Sequence, residues 1–368
     1  MDPTYSNPSE KNGVFKFTIS NINVSLANAL RRTVLNDIPT IVFNAEIYEE
    51  EICKIFANTS RFHNEIIKHR LSNIPIHSKD IKFLEKHIME VNVENTSETM
   101  QIVTTGDFKI KEKESGNYLP EGKVHEIFPK DDISQGYIDF IRLRPKVGDS
   151  IPGEMIHLKC EFSFKTAKDS STFTSVSKCS YGNTPDMEKV NSVWEKLEEN
   201  LRAESLSSED IKFEKRNYEL LDAQRQFVDN SFDFVIQSIG VYENREIMRM
   251  ACKILHNKLV KLIQDIDDDV VPIALSETTM ENSYDIVLEN EDYTIGKVLE
   301  YLMYEKYYVD EKIMNFCGFK KFHPHDTESR IRVGYVSKTD KNLIRQHLRI
   351  ICIQAQEIFE KVKKMFYL

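Results

Sequence analysis

The chain has 368 residues, 40 % hydrophobic and 29 % charged, with a formal charge of -10. That is room for two or three globular, soluble domains with charged surfaces, and the acidic balance argues against a protein whose main task is coating phosphate backbones with Lys and Arg. No run approaches the roughly 18 uncharged residues of a membrane span, and "MDPTYSNPSEKNG" lacks a signal-like apolar core. Six cysteines without a CxxC pair fit free thiols in a reducing, cytosolic or nuclear compartment, where the sequons at Asn23, Asn58 and Asn95 are chance matches.

Along the chain, "VFKFTISNI" alternates apolar residues (Val14, Phe15, Phe17, Ile19) and predicts a strand with one buried face. Ser25 offers a hydroxyl to cap a helix whose apolar positions are Leu26, Ala27, Leu30, Val34, Leu35 and Ile38, and Pro39 stops it. From Thr40 to about Tyr181, strand-like pieces ("TIVFNAEIY", "IMEVNVEN", "MQIVTTGDFKI", "EMIHLKCEFSF") alternate with turns and one helix, "SRFHNEIIKHRLSNIP". Ser60 is the expected cap of that helix, with Phe62, Ile66, Ile67, Arg70 and Leu71 along one side. Residues 186 to 226 are highly charged with weak helical periodicity, which predicts a solvent-facing helical excursion.

A strand, "SFDFVIQSIG", precedes a long helix from Glu243 to about Ile266, in which Met248, Cys252, Leu255, Leu259, Leu262 and Ile266 recur at steps of four and three. "DIDDDVVPIALSETTMENS" reads as a linker. "YDIVLEN" is a new strand, a second capped helix follows from Thr294, and "GFKKFHPHDTESRIRVGYV" supplies more strand. The last helix, from about Asp340 to Phe366, carries Ile344, Leu348, Ile351, Ala355, Ile358, Val362 and Met365 at the same steps. Such a seam packs along another helix.

Laying Phe17 on Ile286 without a gap puts Ser25 on Thr294, Leu26 on Ile295 and Leu30 on Leu299. Strand phase, cap and helix face coincide, so the chain reads as two copies of one unit, the first holding an insertion. Seams that neither copy can bury alone should pack together with pseudo-two-fold symmetry. The expected interface is Leu26, Leu30, Val34, Met248, Leu255, Leu259, Leu262, Ile295, Leu299, Ile344, Leu348, Ile351, Ile358 and Val362. The expected class is α+β: dimerisation units at 1–44 plus 183–268 and at 283–368, a mostly β inserted domain at 45–182, and a linker at 269–282.

"LANALRRTVLNDIPT" with "ANTSRFHNEIIKHRLSNIPI" resembles the third-largest subunit of eukaryotic RNA polymerase II, whose family includes its archaeal counterpart and the bacterial alpha N-terminal domain. "LENEDYTIGKVLEYLM" with "GFKKFHPHDTESRIRV" resembles the eleventh-largest subunit and its archaeal counterpart. The resemblance implies a non-catalytic platform that pairs through helices and docks the two large catalytic subunits and small zinc-binding subunits, reaching DNA only through the complex. By motif it places Arg31, Arg32, Asn58, Thr59, Ser60, His63, Glu65, His69 and Arg70 at large-subunit contacts. A single-chain fusion is similar to what large nucleocytoplasmic DNA viruses encode, which implies a cytoplasmic viral factory, virion or host nucleus. Many relatives carry a cysteine cluster in the insertion; here only Cys53 and Cys160 fall clearly within it, so no metal or other cofactor is expected.

No GxxxxGK[ST] or GxGxxG loop is present. His63 and His69 lie six residues apart, roughly 600° around a helix, and so point about 120° away from each other. His323-Pro324 matches a turn of the family. A metal-dependent hydrolase using His63, Glu65 and His323 stands as an alternative, as does a homodimeric interaction protein outside transcription.

Overall fold

The computed structural model describes residues 1–45, 52–148, 150–277 and 280–367. The chain forms two compact units, one made of Met1–Val34, Lys178–Gln237 and Asn244–Leu368, the other of Leu35–Ser177 with Ser238–Glu243. The end of the expected strand "TIVFNAEIY", residues 46–48, lies outside the described residues.

The first unit opens with β1 (Thr4–Lys11), β2 (Val14–Ser20) and α1 (Val24–Asn36). The second contains β3 (Thr40–Val42), β4 (Cys53–Asn58), α2 (Asn64–Ser72), α3 (Ile81–Lys86), β5 (His87–Glu94), β6 (Gln101–Thr104), β7 (Lys109–Glu112), α4 (Glu121–Ile127), β8 (Asp139–Leu143), β9 (Met155–Glu161) and β10 (Ser163–Lys165). β11 (Val176–Pro185) leads back to the first unit. There follow α5 (Met187–Ala203), α6 (Ser208–Leu220), β12 (Phe227–Ser238), α7 (Asn244–Asp267), β13 (Ile273–Leu275), β14 (Ser283–Glu289), α8 (Tyr293–Met303), β15 (Met314–Lys320), β16 (Glu328–Tyr335) and α9 (Lys341–Met365).

The first unit holds two four-stranded sheets of matching order, β1-β2-β12-β11 and β13-β14-β16-β15. Their central pairs, β2 with β12 and β14 with β16, are antiparallel. In each, the strand is left through an asparagine in the left-handed region, Asn21 (φ 60°) or Asn290 (φ 57°), a conformation that Asn tolerates better than most residues. The apolar alternation turns Phe15, Phe17 and Ile19, and likewise Ile286 and Leu288, inward.

This corrects the linker expected at 269–282. Ile273, Ala274 and Leu275 form the edge strand β13, paired with Ile286, Asp285 and Tyr284. β13 occupies in the second sheet the place that β1 holds in the first. β1 itself gave no strand pattern because its side chains are almost all exposed, and its register breaks between Ser6 and Ser9 around Asn7 at positive φ.

The second unit is a four-stranded sheet, β4-β9-β5-β7, with two two-stranded pairs, β6-β8 and β10-β3. Its core gathers Phe43, Ile67, Leu71, Met89, Val91, Ile110, Phe128, Phe140, Ile156 and Leu158. It starts at Leu35 rather than 45 because Thr40–Val42 of β3 pairs with β10 inside this unit. It stops at Ser177 rather than 182 because β11 runs on into the first unit's sheet. The short helices α3 and α4 add to the one helix expected there.

The charged excursion is a pair of helices, α5 and α6. Asp186 and Ser207 cap them by accepting from the backbone N–H of Lys189 and Asp210. They close on a small core of Val190, Trp194, Tyr218 and Ala223.

Candidate dimerisation seam and docking face

Within the first unit α7 packs along α9, and α8 packs on α9. The two long helices run antiparallel. Arg249 near the start of α7 donates to the Phe366 carbonyl at the end of α9 (2.8 Å), while Asp267 at the end of α7 pairs with Arg349 near the start of α9 (2.8 Å). Met248, Ala251, Cys252, Leu255 and Leu259 of α7 and Ile344, Leu348, Ile351, Cys352, Ala355, Ile358 and Val362 of α9 are buried; Leu262 is half-buried. Each seam therefore buries apolar carbons at steps of three and four, as the spacing predicts.

Phe366 locks the end of α9 onto the first sheet. Its ring meets Phe17 at 5.1 Å and Tyr5 at 5.4 Å, both edge-on. At the other end of the seam, Lys258, Lys261, Leu262 and Asp265 of α7 share a pocket with Val287 and Leu288 of β14. Each long helix thus reaches the sheet of the opposite half.

Leu26, Leu30 and Val34 of α1, and Ile295 and Leu299 of α8, are buried. The caps differ from the expectation. Asn23 accepts from the Ser25 N–H (2.9 Å) and Asp292 from the Thr294 N–H (2.8 Å), so in both copies the cap sits two residues before the hydroxyl. The copies stay in register, because Asn23 aligns with Asp292. Ser25 Oγ is buried and finds no partner among the described residues, whereas Thr294 Oγ1 accepts from Arg32 Nε at 2.9 Å.

Arg32 and Arg31 separate in role. Arg31 folds back onto Asn28 (2.9 and 3.1 Å), whereas Arg32 reaches Asp292 at 2.8 Å. Burial pushes the Asp292 carboxyl up, but the Thr294 and Arg32 hydrogen bonds and the Arg32 charge outweigh it and hold its pKa at about 2. The Arg32 head is therefore engaged inside the chain, tying the first copy's helix to the cap of the second's. The motif alone points Arg32 only to an outside partner.

In the second unit, the "ANTSRFHNEIIKHR" residues form a polar turn followed by α2. Asn58 organises the turn, donating to the Phe62 carbonyl and Asn64 Oδ1 (both 2.8 Å) and accepting from the Ser60 hydroxyl (2.6 Å). Thr59 clasps Met155 through both backbone and hydroxyl. Arg70 donates to the carbonyls of Asp139 and Phe140, both at 2.8 Å, anchoring the helix to β8. Ser60 is not the helix cap: α2 starts at Asn64 with His63 as an uncapped N-terminus, and Ser60 Oγ accepts from the Phe62 N–H.

The buried side also differs. Ile67, Lys68 and Leu71 face inward, while Phe62 and Ile66 are exposed. Exposed apolar groups bordered by Arg61, His63, Glu65 and His69 give this turn and helix a mixed apolar and charged surface. Phe56 on β4 is also exposed, stacked on His157 at 4.7 Å with Lys54 and Lys159 over its ring. Sequence reasoning missed Phe56, whose alternation in "CKIFAN" was its only signal.

His63 and Glu65 belong to the second unit and His323 to the first. His323 closes a turn, its N–H donating to Asp326 at 2.9 Å. Among the described residues no group of three or more His, Cys, Asp or Glu is placed to hold a metal ion, and the hydrolase alternative finds no support.

Residues 16–259 match the RNA polymerase Rpb3/Rpb11 dimerisation domain. The chain is similar to the DNA-directed RNA polymerase subunit Rpo3 of Pyrococcus horikoshii, 27 % identical over 68 % of this chain and 92 % of the relative. It is similar also to the RNA polymerase II subunit RPB3 of Schizosaccharomyces pombe, 24 % identical over 74 % of this chain and 90 % of the relative. The RNA polymerases I and III subunit RPAC1 of Bos taurus is 23 % identical over 68 % of this chain and 81 % of its own length.

Proposed function

The chain belongs to the RNA polymerase Rpb3/Rpb11 dimerisation-domain family, and from that premise we propose that it is a non-catalytic assembly subunit of a multisubunit DNA-directed RNA polymerase carrying both partners of the family's dimer in one polypeptide. The observation that carries this reading is the antiparallel α7–α9 seam, flanked by two sheets of the same strand order and two helices capped at aligned positions. The first copy, with its insertion, plays the third-largest subunit and the second copy the eleventh-largest. The source we favour is a large nucleocytoplasmic DNA virus, with the protein in a cytoplasmic factory, the virion or the host nucleus.

Its mechanism is recruitment. The seam fixes one geometry of the paired copies, and the face made by Asn58, Thr59, Ser60, His63, Glu65, His69 and Arg70, with Phe62 and Ile66 between them, docks a large catalytic subunit. Arg31 joins a second contact region, whereas Arg32 acts there through the tie to Asp292. Small zinc-binding subunits complete the assembly, and DNA is reached only through the complex. Affinity purification of the tagged full chain from its native source tests this: large polymerase subunits should co-purify in stoichiometric amount. Recovery without them would overturn the reading.

A further inference from the structure

Cys53 and Cys160 face each other across β4 and β9. The Glu161 N–H donates to the Ile52 carbonyl at 2.9 Å, so the neighbouring pair, Cys53 with Cys160, occupies a non-hydrogen-bonded position of the antiparallel ladder. Facing Cα atoms at such positions are about 4.5 Å apart, at the short end of the ~4.4–6.8 Å window that a disulfide can span. A pair at this position of the ladder lies within that window.

The two thiols have different surroundings. Cys160 is sealed in the sheet, with Met89 opposite it on the other side, and its thiol donates to the Glu161 carbonyl at 3.5 Å. Cys53 is also buried, at 1 % exposure, but it borders a cleft of about 340 Å³ lined by Lys54, Ile55, His63, Asn64, Glu65 and Lys68. The hydrogen bond with Cys160 draws the Cys53 thiol below its ordinary value; burial opposes this and the Lys68 ammonium adds to it. Burial, above all, holds Cys160 protonated. Cys53, on the cleft side, is the thiol that an oxidant meets first, and Cys160 stands behind it to resolve.

We propose that Cys53 and Cys160 form a peroxide-sensitive dithiol that closes to a cross-strand disulfide behind the α2 docking face. The Cys53 thiolate attacks one oxygen of hydrogen peroxide, the O–O bond breaks, and the departing hydroxide takes up the proton that Cys53 had lost. Cys53 is then a sulfenic acid. The Cys160 sulfur attacks the Cys53 sulfur, the S–O bond breaks, and the hydroxyl leaves as water with the Cys160 proton. The dithiol loses two electrons, and one peroxide becomes two waters. His63, Asn64 and Glu65 line the same cleft, so oxidation alters the wall beneath the docking helix. The dithiol chemistry is read on the isolated chain and is independent of the polymerase reading; only its bearing on docking rests on that reading.

The full chain is treated with hydrogen peroxide, denatured, alkylated and mapped by mass spectrometry. The expected result is a Cys53–Cys160 linked peptide, reversed by dithiothreitol, with Cys179, Cys252, Cys317 and Cys352 still alkylated. Cys160→Ser should trap Cys53 as a sulfenic acid that dimedone labels, and Cys53→Ser should leave Cys160 unlabelled. No linked peptide from folded wild-type protein, or equal dimedone labelling of Cys160 in Cys53→Ser, would overturn the proposal. The wild-type map keeps the test decisive if a variant fails to fold.

Discussion

Arg32 joins two places 260 residues apart in sequence, since its guanidinium serves Asp292 while its Nε serves Thr294. Both ends of the ion pair are 29 % exposed, so it lies between a surface pair and a buried one. Arg32→Ala should cost about 1–2 kcal/mol in a denaturant titration at neutral pH. The folded Asp292 has a pKa of about 2, below its unfolded value. The stabilisation is therefore complete above about pH 4 and lost as pH falls toward 2, so the gap between wild type and Arg32→Ala should shrink across that window. A gap independent of pH would contradict the assignment. His347 makes a second pH prediction. It stacks on Tyr307 at 4.2 Å, meets the Tyr335 hydroxyl at 2.9 Å, and burial lowers its pKa. Stability from the neutral ring is present above about pH 6.5 and lost as pH falls, so His347→Gln should show a flatter decline of melting temperature between pH 6.5 and 5. At this scale the sequence was only partly legible. The motif pointed Arg31 and Arg32 alike to an outside contact, and the partner of Arg32 was hidden by its distance along the chain.

Helices with long apolar repeats were legible because burial against another helix imposes a period, and α7 and α9 carry that period over their full lengths. Leu255 and Leu348 are fully buried in this seam. Leu255→Asp or Leu348→Asp should each bury an unpaired charge and cost several kcal/mol, read as a loss of cooperative unfolding or of soluble yield. Gly296 offers a sharper test, since it aligns with Ala27 of α1. A Cβ at Gly296 would run into the ring of Phe319, so Gly296→Ala should destabilise by about 1–3 kcal/mol despite its better helix propensity. Edge strands were not legible. β1 is nearly all exposed and β13 is three residues long, so neither displays alternation. On α2 the apolar side was misassigned, because Lys68 is buried while Phe62 and Ile66 are exposed, and only tertiary packing decides that.

Across the whole molecule, the proposed joining of two paired copies in one chain would make their association intramolecular. Its thermal midpoint should not vary with protein concentration. A protease site inserted after Val270, between α7 and β13, should leave the two pieces together after cleavage but make the midpoint rise with concentration; an unchanged midpoint would show that the copies do not hold each other. The duplicated order was legible from one ungapped alignment of strand, cap and helix. The proposed docking face is less so, since exposed charges look alike whether or not a partner covers them.

The sheet order carries one more consequence, for the time at which the fold can form. β2 has β1 on one edge, only a turn away, but its other edge is closed by β12, where Thr18 donates to Asp233, 215 residues later. At about 5–20 residues per second, a ribosome takes roughly 10–40 s to deliver that strand. Through that interval β1 and β2 wait as an incomplete hairpin with one edge open to wrong pairing, while the whole second unit except Ser238–Glu243 emerges between them and their partner. The insertion thus sets a delay in synthesis, and early chaperone contact should concentrate on Val14–Ser20.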